Sequence, residues 1–237
     1  MNKPIIALDF PDLSSVKNFL APFKGEELFV KVGMELYYQE GPALIKYLNE
    51  QGHQIFLDLK LHDIPNTVES TMRGLAKLGI FMTNVHAAGG RAMMEAALKG
   101  LNEGTPDKKQ RPLLIAVTQL TSTSETEMHQ EQLIPVSLLD SVIHYAKLAQ
   151  AAGLDGVVCS PLEANAIKAA TSENFLRVTP GIRMQDGKTD DQKRIATPVN
   201  AKQNGSTHIV VGRPITRADH PIQAYRDILD AWNGDTK

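Results

Sequence analysis

Asp58 and Lys60 stand two residues apart in Ile55-Phe56-Leu57-Asp58-Leu59-Lys60-Leu61, and Asp63 follows closely. Side chains on a strand alternate faces, so Asp58 and Lys60 point the same way. The segment reads as a strand buried on both faces, where unpaired charge is expensive. The two groups must therefore contact each other and further charges. Asp63 comes just past the strand end, where the chain leaves the sheet. Two carboxylates around one ammonium are a means of moving a proton and stabilising a developing charge. The plainer alternative is a surface strand with a scattered salt bridge, which contributes little.

Further charges interrupt other apolar runs. Asp9 lies near the end of Ala7-Leu8-Asp9-Phe10, and Lys31 lies within Phe29-Val30-Lys31-Val32. Neighbouring parallel strands are about 5 Å apart, so groups at one end of consecutive strands can touch. Alternating Asp and Lys would keep every member ionised by mutual attraction. A second cluster is Val210-Val211-Gly212-Arg213-Pro214-Ile215-Thr216. Glycine after a buried strand lets a ligand approach the backbone. Arg213 then presents a planar fork suited to phosphate oxygens. Thr179-Pro180-Gly181-Ile182-Arg183 adds another tight turn and another guanidinium. Thr121 either hydrogen-bonds a polar ligand ring or caps the loop that follows it. His62 and His86, with Asp63, are the conceivable metal ligands, but no H-E-x-x-H or similar spacing supports them. No G-x-S-x-G elbow supports a serine nucleophile.

The elements that must position these groups alternate regularly. Strand-like runs occupy residues 5–10, 28–34, 54–61, 82–88, 113–120, 156–160, 175–180 and 208–212. Helical patterns follow each, at 16–23, 41–51, 68–78, 91–101, 137–152, 162–170, 198–203 and 222–232. Strand then helix, eight times over, predicts a (β/α)8 barrel of the α/β class, formed as one domain over residues 1–237. A doubly wound open sheet is disfavoured, because no G-x-G-x-x-G follows the first strand. Two polar segments, 122–132 and 184–193, follow strands five and seven, on the face where such barrels place their sites. The first is either a functional loop or plain surface. The second, beside Arg183 and containing Gln192, is the better lid.

Composition narrows the function classes. The 237 residues carry a formal charge of −2, which gives no reason to propose nucleic acid or an anionic membrane as partner. Cys159 is the sole cysteine, so no internal disulfide or thiolate cluster forms. It sits in Gly156-Val157-Val158-Cys159, where a small buried apolar role is expected. The N-terminus lacks signal-peptide character, and no apolar run is long enough to span a membrane. A soluble protein of the reducing cytoplasm is expected.

The stretch Asp58-Leu59-Lys60-Leu61-His62-Asp63-Ile64-Pro65-Asn66-Thr67 resembles the signature of the bacterial-type orotidine 5′-phosphate decarboxylases. Leu8-Asp9, Val30-Lys31-Val32-Gly33, Thr179-Pro180-Gly181-Ile182-Arg183 and Val211-Gly212-Arg213-Pro214-Ile215 match in order along the whole chain. The Asp-x-Lys-x-x-Asp core alone is shared with a wider group of sugar-phosphate barrels; the Ile-Pro-Asn-Thr continuation makes the resemblance narrower. The resemblance implies a homodimer that converts orotidine 5′-phosphate to UMP and carbon dioxide with no cofactor and no metal. It implies that Lys60 protonates C6 of the pyrimidine within a network of Lys31, Asp58 and Asp63. Asp63 and Thr67 would reach into the partner's site, with Ile64 between them also contacting substrate. Asp9 and Lys31 would bind ribose hydroxyls, and Thr121 and Pro180 would lie against the substrate. Gln192, Gly212 and Arg213 would hold the phosphate, joined by Arg183 at the lid. The rivals are a related Mg²⁺-dependent sugar-phosphate decarboxylase or aldolase, and a catalytically silent nucleotide-binding barrel.

Overall fold

The computed structural model describes residues 3–184 and 195–234. The strands are β1 (Ile5–Ala7), β2 (Phe29–Gly33), β3 (Gln54–Leu61), β4 (Met82–His86), β5 (Leu113–Val117), β6 (Gly156–Val158), β7 (Leu176–Thr179) and β8 (His208–Val211). Each pairs in parallel with the next, and β8 pairs with β1, so the sheet closes into a barrel. The described helices are α1 (Leu13–Leu20), α2 (Met34–Glu40), α3 (Pro42–Glu50), α4 (Pro65–Leu75), α5 (Gly90–Gly104), α6 (Glu125–Glu131), α7 (Leu138–Ala151), α8 (Ala164–Ala170), α9 (Pro198–Gln203), α10 (Arg213–Thr216) and α11 (Pro221–Asn233). This is the (β/α)8 barrel expected from the alternation of apolar runs. None of the described helices is long and apolar enough to cross a membrane.

Strand alternation divides the core into two layers. Ile5, Phe29, Phe56, Met82, Ile115, Val178 and Val210 pack inside the barrel. Their neighbours Ile6, Val30, Leu57, Val85, Leu114 and Val211 face outward into the larger core with the helices. Cys159 is buried in that outer layer. The backbones of α4 and α5 pack closely: a Cβ at Gly100 or Gly104 would collide with the carbonyl oxygens of Glu69 and Arg73.

The elements differ from the sequence expectation mainly at their ends. β1, β5 and β7 stop before Asp9, Thr121 and Pro180, which therefore stand on loops at the barrel mouth. The sequence pattern predicts one helix between β2 and β3, and two form. Gly41, at φ 62°, ends α2, and Pro42 starts α3. Segment 122–132 is not loop throughout. Ser124 and Glu127 form a reciprocal capping box that starts α6, although that helix buries only Met128. A helix so polar carries no apolar stripe in its sequence, so only its cap marks it.

Candidate active site

The mouth of the barrel holds a cavity of about 500 Å³, within the size range of small-molecule sites. Its floor is apolar, with Ala7, Phe56, Val117, Val158 and Val210. One wall is the charged group predicted from β1 to β3. Lys60 Nζ lies 2.7 Å from Asp58 Oδ1. Lys31 Nζ lies 3.3 Å from Asp58 Oδ2 and 3.3 Å from Asp9 Oδ1. Inward-facing Lys31 and Asp58 thus stand one layer above Phe29 and Phe56 of the inner core.

Burial pushes the Asp58 carboxyl up, but Lys31, Lys60 and a hydrogen bond from Asn84 outweigh it and hold Asp58 below its ordinary value. Burial likewise pulls Lys31 down, and the charges of Asp58 and Asp9 more than reverse it. Both groups therefore stay ionised through the neutral range. Asp9, Lys31, Asp58 and Lys60 form a row of alternating charge, which does not include Asp63.

The end of β3 is irregular. Phe56 and Leu57 pair with Met82 and Thr83, but Leu61 pairs with Val85. Four residues of β3 thus advance against two of β4, and Lys60 sits in the excess at φ 53°. A left-handed conformation in a residue with a side chain costs on the order of 1–3 kcal/mol and persists only where surroundings enforce it. Here Asn84 enforces it: its side-chain oxygen accepts the Lys60 backbone N–H at 2.8 Å. Asn84 Nδ2 donates to Asp58 Oδ1 at 2.7 Å. Asn84 carries no charge and stands between Thr83 and Val85 in a strand that also holds His86, so the pattern of lone charges in apolar runs does not mark it.

Gly212 and Arg213, after β8, continue the lining beside the Asp9 end of the row, and Pro180 and Arg183 line the cavity after β7. Thr121 lines it after β5. Arg183 donates to the Ile182 carbonyl at 2.8 Å and is largely buried. Glu35, Gln119 and Arg217 also line the cavity and are not among the predicted site residues. Buried Gln119 donates to Gln132 at 3.0 Å and to Ser141 at 3.2 Å, fastening the Thr121 turn to α7. Asp63, Ile64 and Thr67 do not line the cavity and are exposed on the outer side of the mouth. Asp63 accepts the Ile64 backbone N–H at 2.6 Å. Gln192 and residues 185–193 of the expected lid lie outside the described residues. The rings of His62 and His86 lie 5.7 Å apart. Among the described residues, no three His, Cys, Asp or Glu side chains are grouped to hold a metal ion.

The sequence pattern of the orotidine 5′-phosphate decarboxylase / HUMPS family matches residues 2–228. The chain belongs to that family. A Listeria innocua family member named orotidine 5′-phosphate decarboxylase is 62% identical over 233 residues, spanning 98% of this chain and all of its own. An Enterococcus faecalis protein of the same name is 61% identical over 98% of each chain. The crystal structure of orotidine 5′-phosphate decarboxylase from Lactobacillus acidophilus superposes with a TM-score of 0.88 at 45% identity, covering 98% of this chain and all of that one.

Proposed function

We propose that this chain, acting as a single domain, decarboxylates orotidine 5′-phosphate to UMP, the last step of de novo pyrimidine nucleotide synthesis. The observation that carries the reading is the Asp9–Lys31–Asp58–Lys60 row sharing one cavity with Arg213, which follows β8 beyond the Asp9 end of the row. That arrangement gives a reacting end and a phosphate end to a nucleotide-sized site. The names of relatives sharing 61–62% of its residues support it.

The chemistry fits the row. Loss of carbon dioxide leaves an electron pair on C6, an sp² carbon with no electron sink in the ring. Catalysis then depends on stabilisation that grows toward the transition state. The Lys60 ammonium, held by Asp58, attracts the developing charge and delivers its proton to C6, giving UMP and a neutral amine that regains a proton from water. Asp58 crowds the substrate carboxylate, and this repulsion vanishes as carbon dioxide departs. Asp9 and Lys31 take the ribose hydroxyls, and Thr121 and Pro180 contact the pyrimidine side. Arg213, Gly212, Arg183 and Gln192 take the phosphate, whose remote binding energy helps order the site. No cofactor is needed for these steps.

The enzyme works as a homodimer in the cytoplasm, with Asp63, Ile64 and Thr67 serving the partner's cavity. Their exposed placement beside the mouth supports this. A Mg²⁺-dependent sugar-phosphate barrel is disfavoured by the two ammonium groups that flank Asp58. The test is purified protein with orotidine 5′-phosphate, following the loss of substrate absorbance in the presence of EDTA. Turnover insensitive to chelator is expected; a strict requirement for Mg²⁺ or no turnover would overturn the reading.

A further inference from the structure

We propose that Asn84 is a positioning residue that holds Asp58 and the Lys60 backbone in reactive geometry. The inference rests on the decarboxylase reading and adds to it a residue that touches no substrate. Asn84 is fully buried between Thr83 and Val85. A buried primary amide is costly unless its donors and acceptor are used. Here both ends are used, and both on the reactive strand: Oδ1 accepts Lys60 N–H at 2.8 Å and Nδ2 donates to Asp58 Oδ1 at 2.7 Å. The amide has one workable orientation. Turned over, it would set its NH₂ against a backbone N–H and its oxygen against a carboxylate.

The place of these bonds in the sheet is equally telling. Asn84 stands on β4 where the β3–β4 register shifts. There the Lys60 N–H is taken by a side chain of β4, and Lys60 adopts φ 53°. The same amide turns the Asp58 carboxylate so that Oδ1 takes Lys60 Nζ at 2.7 Å while Oδ2 faces Lys31 at 3.3 Å. Neighbouring Thr83 shows the contrast. Its hydroxyl donates to the Leu57 carbonyl at 2.9 Å, a bond that ties β4 to β3 and reaches no site residue. An apolar residue could fill the volume of Asn84 but could set neither group.

Two full-length variants test this, Asn84→Ala and Asn84→Asp. The charged and titratable groups nearby are Asp58 and Lys60 on β3, Lys31 through Asp58, His86 on β4 and His62 at the rim; β5 contributes none. Asn84→Ala should lower kcat by about 10- to 100-fold, the loss expected for a hydrogen bond to a charged group. UMP affinity should be unchanged. Asn84→Asp keeps an acceptor for Lys60 N–H but opposes Asp58 with a second carboxylate. Its kcat relative to the unsubstituted protein should fall at neutral pH and recover as the pH is lowered, when the added carboxyl takes a proton and again donates to Asp58. A carbon-13 titration of Asp58 without substrate should move upward in Asn84→Ala. That readout stands even if the unsubstituted protein proves inactive on orotidine 5′-phosphate, an outcome that removes the decarboxylase reading alone. Unchanged kcat in Asn84→Ala, parallel loss of kcat and UMP affinity without acid recovery, an unmoved Asp58 titration, or failure of both variants to fold would each make Asn84 a packing residue and overturn the proposal.

Discussion

Lys60 Nζ lies 2.7 Å from Asp58 Oδ1, two positions earlier on the same strand. The ammonium is thereby aimed into the cavity by a carboxylate that cannot itself move, since Lys31 and Asn84 hold it from the other sides. Lys60→Ala should remove both the proton and the charge that C6 needs, lowering kcat at least about 10³-fold. The fold should survive, because Asp58 keeps Lys31 as its partner. A circular dichroism melt beside the decarboxylation assay checks both halves. A folded variant with substantial turnover would exclude Lys60 as the proton donor.

Arg213→Ala should weaken nucleotide binding far more than nucleoside binding. Arg213 lies on the cavity wall next to Gly212, away from Lys60 and beyond the Asp9 end of the row. Loss of a charge-assisted contact with phosphate should cost on the order of 2–4 kcal/mol of binding. Calorimetric titration with UMP and with uridine measures the difference. Equal losses for the two ligands would remove Arg213 from the phosphate site.

If Asp63 serves the partner, each site takes Lys60 from one chain and Asp63 from the other. Inactive Lys60→Ala and Asp63→Ala subunits, mixed and allowed to exchange, would then form heterodimers with both lesions in one site and neither in the other. Random exchange places about half of all dimers in that class, each with about one intact site. Activity should reappear on mixing. Native mass spectrometry that finds heterodimers without recovered activity would assign Asp63 to its own subunit.

Stability should decline as the pH falls below the ordinary imidazole value. Burial holds His53, His86 and His208 below the ordinary imidazole value of 6.5. The unfolded chain therefore binds these protons more readily than the folded one. Their contribution is fully present above pH 6.5 and is lost as the pH falls through the lower folded values. Asp58 acts in the same sense further down, below the ordinary carboxylate value of 3.8. Urea midpoints at pH 7.5 and about 5.5 give the check; an identical midpoint at both would show that these histidines are not buried neutral.

Much of the molecule was legible in the chain alone. Runs such as Gln54–Leu61 and His208–Val211 mark their strands because burial on both faces demands continuous apolar sequence. Asp9, Lys31, Asp58 and Lys60 announce a site because each breaks such a run, and strand alternation sets which way they face. These are local signals, readable from neighbours in sequence. What the tertiary structure decided is pairwise and non-local. The register of β3 against β4, the left-handed turn at Lys60, and the choice of Lys31 to bridge Asp9 and Asp58 depend on residues 22 to 27 positions apart. Asn84 belongs to the same class. Its importance lies in two hydrogen bonds across to β3, and a buried amide reveals its partners only when the strands stand side by side.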